Sequence, residues 1–231
     1  MGSKLAAMIL VTSALFGDPA PKRAADQAAL KPFAGLVGEW KGTGQPQRGS
    51  ARGAWIEAGS WAWKLTNDNA ALGFSSEKGK YLRSAVLRPG KDGGSFALEG
   101  ILADGSKRAF SGRIGARNIL VLTSETAVED GLSKITLTPL HDTRFLLLLE
   151  GKDPSGGLAR LGEVGFTRQG VAFAAGDSSP VCIVTEGRGT MPVSYKGKTY
   201  YVCCSGCKDL FNDDPESVLA EAERRKNEKT K

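Results

Sequence analysis

Histidine is almost absent from this 231-residue chain, and cysteine is missing from everything before its last fifty residues. The one histidine, His141, sits in Pro139-Leu140-His141-Asp142-Thr143, which reads as a turn between two strands. Histidine-based acid–base or nucleophilic chemistry would rest on that residue alone, and no Gly-x-Ser-x-Gly or comparable nucleophile setting accompanies it. The carboxylates Glu125, Glu129 and Asp130 gather on one turn without forming a pair suited to catalysis. The expectation is a protein that is not an enzyme. Charge of one sign is lacking too: 31 Lys+Arg against 25 Asp+Glu leaves +6, with the signs interleaved and no basic stripe with stacking aromatics. No nucleic-acid partner is expected. The one long basic segment, 224–231, also carries Glu228 and reads as a solvated helix tail.

Long apolar runs are also scarce. The longest, residues 5–16, follows Lys4 and precedes Gly17-Asp18-Pro19. Its length of about twelve residues falls short of the roughly 20 that span a bilayer as a helix. It reads as an export signal occupying residues 1–25, with small residues Ala20, Ala24 and Ala25 near the cleavage region; a buried first helix is the alternative. The run at 145–149 is only strand-sized. After signal removal no transmembrane segment is expected, and the location is exported, periplasmic or extracellular.

What is present is a β pattern. From Trp40 to Thr167, short runs rich in Val, Ile, Leu, Phe and Trp alternate with Gly, Asp, Asn and Pro clusters. Strands are predicted at 55–65, 71–75, 81–88, 95–102, 107–114, 118–123, 134–140, 144–150 and 163–168, after an opening strand at Trp40 and a short helix over 25–33. Nine or ten strands on short turns predict antiparallel pairing, closed as a barrel over residues 26–168. The segment Gly38-Glu39-Trp40 resembles the Gly-x-Trp first strand of lipocalin-like (calycin) barrels. That resemblance implies that Trp40 closes one end of the barrel beneath an arginine from a late strand, for which Arg168 is placed. It also implies a small apolar ligand in the barrel, and makes His141 a remote candidate for a haem ligand.

Residues 169–179, small and polar apart from Val171 and Phe173, read as a linker to a module over 180–231. All four cysteines lie in that module, spaced Cys182-x20-Cys203-x3-Cys207 with Cys204 beside the second. Between them, 193–202 reads as a β-hairpin turning at Lys196-Gly197, which delivers Cys203 at the end of its second strand. Cys207 falls near a helix N-terminus, where the dipole is expected to lower a thiol pKa. Asp214-Pro215 starts a last helix, Asp as N-cap and Pro at its first position. If the strand continued through Cys204, Cys203 and Cys204 would face opposite ways, so Cys204 is a fourth ligand or a bystander.

Pro180-Val181-Cys182, Tyr195-Lys196-Gly197-Lys198-Thr199-Tyr200-Tyr201-Val202-Cys203-Cys204-Ser205-Gly206-Cys207, Phe211 and Asp214-Pro215 resemble the YHS (TRASH-like) domain, a treble-clef-like heavy-metal-binding module. The resemblance implies metal ligands at Cys182, Cys203 and Cys207. The histidine of the name-giving Tyr-His-Ser has no counterpart here, so an all-sulfur site is implied. Three or four thiolates suit Cu(I) or Zn(II) and leave nothing for Mg or Ca. The fold class expected is mainly β with a small α+β module, and the function is metal binding, sensing or trafficking. Three alternatives stay open: a structural module under a ligand-binding barrel, a pair of disulfides, and a thiol–disulfide oxidoreductase using Cys204-Ser205-Gly206-Cys207.

Overall fold

The structure is a computed structural model that describes residues 20–126, 131–153, 155–169 and 180–228. Of the features singled out above, the apolar run at 5–16, Glu129, Asp130 and linker residues 170–179 lie outside the described residues. The first element is helix α1 (Ala20–Leu30), which begins before the 25–33 expected and gives way to a 3-10 turn at Lys31–Leu36 carrying Pro32 near its start. Ten strands follow: β1 (Gly38–Gln45), β2 (Trp55–Leu65), β3 (Ala70–Ser75), β4 (Leu82–Pro89), β5 (Ser95–Leu102), β6 (Lys107–Ile114), β7 (Leu120–Ser124), β8 (Leu132–His141), β9 (Arg144–Lys152) and β10 (Leu158–Arg168). Each pairs antiparallel with its chain neighbour, and β1 closes on β10 from Trp40↔Arg168 to Gln45↔Glu163, making a closed barrel. No helix among the described residues is long and apolar enough to cross a membrane.

Alternation decides which side chains enter the barrel. Along β2, Glu57, Gly59, Trp61 and Trp63 are buried while Ile56 and Ala58 face out, as a period of two requires. Inside, ring contacts run in sequence: Trp40 on Phe145 (4.8 Å between centroids), Phe145 on Phe166 (4.6 Å), Phe166 on Phe74 (6.1 Å) and Phe74 on Trp61 (5.2 Å). Gly42 and Gly59 make room for this column, because a Cβ at either would stand 2.7 Å and 2.9 Å from the Phe166 and Phe74 rings respectively. The column fills space that a small apolar ligand would need, and the ligand expected from the calycin resemblance finds no support in it. At one end the Arg168 guanidinium lies over the Trp40 ring, 4.3 Å from its centre. It donates to the carbonyls of Asp142 (2.6 Å), Val37 (2.7 Å) and Gly35.

The C-terminal module is a hairpin and two helices. Strands β11 (Met191–Tyr195) and β12 (Lys198–Val202) join through Lys196 (φ 48°) and Gly197 (φ 76°), two left-handed residues in succession, which is the two-residue turn that suits strand twist. Helices α2 (Ser205–Asp213) and α3 (Pro215–Glu228) follow, the second capped by Asp214, whose carboxylate accepts from the Ser217 N–H at 3.0 Å. The module does not stand apart from the barrel. Their buried residues form one continuous cluster, and Arg23 of α1 pairs with Glu221 of α3 at 2.7 Å.

Candidate metal centre

Four cysteines, none more than 9% exposed, meet at the corner where β12 runs into α2. Cys182 arrives from the preceding loop, whose shape is set by backbone bonds: the Cys182 N–H donates to the Gly187 carbonyl (2.7 Å), and the Glu186 N–H donates to the Cys182 carbonyl (2.9 Å). The Ile183 N–H donates to the Tyr201 carbonyl (2.9 Å), which fastens this loop to the hairpin. Arg225 of α3 reaches back to the Ile183 carbonyl at 2.8 Å. The ligand atoms of Cys182, Cys203 and Cys207 all lie within 4.8 Å of one another.

The strand ends at Val202, one residue before the position expected, and this resolves the question of facing. Cys203 and Cys204 lie in a bend, Cys204 being the extended N-cap of α2, so both sulfurs turn inward. Their separation is 3.9 Å; Cys203 to Cys207 is 3.5 Å and Cys204 to Cys207 is 3.8 Å. These are contacts between free thiols, well beyond the roughly 2.05 Å of a disulfide bond. Cys204 Sγ also accepts the backbone N–H of Trp63, on barrel strand β2, at 3.3 Å.

Crowding four ionisable sulfurs in one buried corner divides them into two kinds. Hydrogen bonds from Cys203 and Cys207, helped by Thr185, hold Cys182 as a thiolate and draw its pKa down to about 2. Cys204, receiving from the same two thiols and from the N–H groups of Cys207 and Trp63, falls to about 3. Cys203 and Cys207 are pushed up, chiefly by the neighbouring sulfurs and then by burial. For Cys207 this overturns the expectation from its place at a helix start: three sulfurs in contact outweigh a helix of nine residues.

The donor set fits a soft ion: sulfur only, buried, convergent, with no water-exposed carboxylate among the atoms brought together. Trp63 and Thr185 belong to the site's surroundings and were not singled out in the sequence. Thr185 Oγ1 lies 3.4 Å from Cys203 Sγ. Nothing in the sequence marks Trp63, which stands 141 positions from the sulfur it touches. His141 is far from this chemistry in role: it is exposed, with Nδ1 2.8 Å from the hydroxyl of Thr143. Trp40 and Arg168 make the barrel closure and no part of the sulfur cluster.

Comparison with curated proteins finds no match to the chain. Within the chain, the segment that carries all four sulfurs, residues 179–220, matches the YHS domain family, and the C-terminal part of this barrel protein is a YHS domain.

Proposed function

We propose that this is an exported, non-catalytic protein that binds Cu(I) or Zn(II) through Cys182, Cys203 and Cys207 in metal sensing or trafficking. The observation that carries the reading is the convergence of three buried sulfurs within 4.8 Å, drawn from two segments twenty residues apart. Hydrogen bonds already hold the loop after Cys182 against the hairpin, so the donors stand assembled and little chain ordering is left to oppose binding. Thiolate sulfur selects soft and borderline cations over oxygen-seeking ones, and the thiols release protons as they ligate. A bound ion would cross-link the Cys182 loop to the β12–α2 corner.

A second reading, a structural site, is favoured by burial: Cys182 and Cys207 are fully enclosed. A small module with few core residues gains folding free energy from such a link. The two readings differ in exchange. A trafficking site surrenders its ion to a chelator while the fold persists, whereas a structural site unfolds as the ion leaves. Elemental analysis of reduced protein offered copper and zinc tests the shared claim. Metal retained by the wild type and lost from a Cys203→Ser/Cys207→Ser double variant is expected; a wild type that emerges from gel filtration without metal overturns it.

A further inference from the structure

The three-sulfur site leaves Cys204 without a task, yet Cys204 is the most firmly held of the four. Its sulfur is 3.9 Å from Cys203 and 3.8 Å from Cys207, and Cys203 is 3.5 Å from Cys207. A soft ion bound to three thiolates at about 2.3 Å in a trigonal plane needs sulfurs about 4.0 Å apart, by simple geometry. The triangle Cys203–Cys204–Cys207 therefore meets that demand with little movement. It shares the edge Cys203–Cys207 with the triangle that Cys182 completes. Cys204 falls outside the set in which every sulfur lies within 4.8 Å of every other, so the four do not converge on one tetrahedral centre. They form two faces hinged on a common edge.

Cys204 is also prevented from swinging across to close a tetrahedron. The Trp63 N–H holds its sulfur from the barrel side at 3.3 Å. Two residues on, Gly206 is pressed so close to barrel strand β2 that a Cβ there would stand 1.7 Å from the Trp63 carbonyl oxygen. The start of α2, and Cys204 with it, is fixed by the barrel wall.

Building on the metal reading above, we infer that the module takes two monovalent soft cations, one on each face, with Cys203 and Cys207 as bridging thiolates and Cys182 and Cys204 as terminal ones. Monovalent ions of the Cu(I) class accept three thiolates and leave the charge of the filled cluster equal to that of one divalent ion on four. The module would thus distinguish Cu(I) from Zn(II) by number: two against one.

Counting ions by native mass spectrometry tests this on the full, reduced chain, loaded anaerobically with Cu(I) under a competing chelator and, separately, with Ag(I). Two ions per wild-type chain are expected, falling to one in Cys204→Ser and one in Cys182→Ser. The copper-loaded wild type should also emit as a solvent-shielded, thiolate-bridged Cu(I) cluster, and Cys204→Ser should not. One ion in the wild type, kept with unchanged affinity by Cys204→Ser, overturns the paired site while leaving metal binding intact. Two ions in both proteins overturns the role of Cys204. No ion in the wild type overturns the metal reading itself. The wild-type count needs no variant to fold.

Discussion

The backbone N–H of Trp63 donates to the sulfur of Cys204 at 3.3 Å, although 141 residues separate them in the chain. A group on barrel strand β2 thereby neutralises part of a thiolate in the C-terminal module, and such charge-assisted bonds are stronger than those between neutral partners. The barrel is part of the cluster's environment as well as its neighbour. Its aromatic interior keeps β2 rigid, and β2 fixes where α2 begins.

The close approach of Gly206 to the Trp63 carbonyl makes this seam intolerant of any side chain. Gly206→Ala should destabilise the whole chain by about 1–3 kcal/mol, the usual cost of overpacking. It should weaken metal retention in parallel, because Cys204 must move with the helix start. Urea denaturation and metal competition on the same samples check this, and an unchanged denaturation midpoint would show the seam to be pliable.

Arg168 carries the barrel's closed end. Its guanidinium covers Trp40 and donates to three carbonyls, those of Asp142, Val37 and Gly35. Arg168→Met should cost about 3 kcal/mol, through bonds lost from a charged donor and carbonyls left unpaired. Arg168→Lys should recover only part of this, since an ammonium cannot reproduce the planar fork. Thermal unfolding measures the difference, and metal stoichiometry should be the same in both variants.

Much of this fold is legible in the sequence because its signals are local. Strands 55–65, 95–102 and 107–114 have the bounds that alternation and turn residues give, and the Lys196-Gly197 turn follows from two adjacent positive φ values. Other bounds shift where the cause lies elsewhere in the chain. β10 begins at Leu158 because pairing with β9 extends it past a bulge between Arg160 and Gly162. The candidate ligands were legible from spacing, but the inward turn of Cys204 depends on a bend after Val202 and on contact with β2, neither of which a linear pattern encodes. The raised pKa of Cys207 is likewise a property of assembled sulfurs.

Glu57 is a buried carboxyl on β2, where burial raises its pKa despite bonds received from the Trp55 indole N–H at 2.7 Å and the Lys80 N–H at 3.3 Å. A folded-state pKa above the unfolded value means that the protonated acid is the form the fold prefers. Its contribution to stability is therefore complete below the unfolded carboxylate range and is lost as pH rises through the folded pKa. Glu57→Gln, which cannot ionise, should gain stability over the wild type as pH climbs from 4 to 7, and the two should converge at the acid end. Chemical denaturation across that range decides it; a constant difference would mean that Glu57 does not titrate differently in the fold.

The start of the mature chain is constrained by what α1 holds. Lys22 bonds to Asn69, Arg23 pairs with Glu221 at 2.7 Å, and the Asp26 carboxylate accepts the Ala70 N–H at 3.1 Å. The Arg23 and Glu221 side chains are only 12% and 16% exposed, so their pair is screened less than a surface one. Removing residues through Ala25 would leave Glu221 to Arg225 alone, 3.0 Å away, and uncover the seam between α1 and α3. A chain beginning at Asp26 should be less stable than one beginning at Ala20 by about 1–2 kcal/mol. If the protein is exported with cleavage, the retained N-terminus should fall at or before Lys22. N-terminal sequencing of protein recovered from outside the cytoplasm checks the position. A start beyond Arg23 in a protein of undiminished stability would mean that the α1–α3 pair contributes nothing to the mature fold.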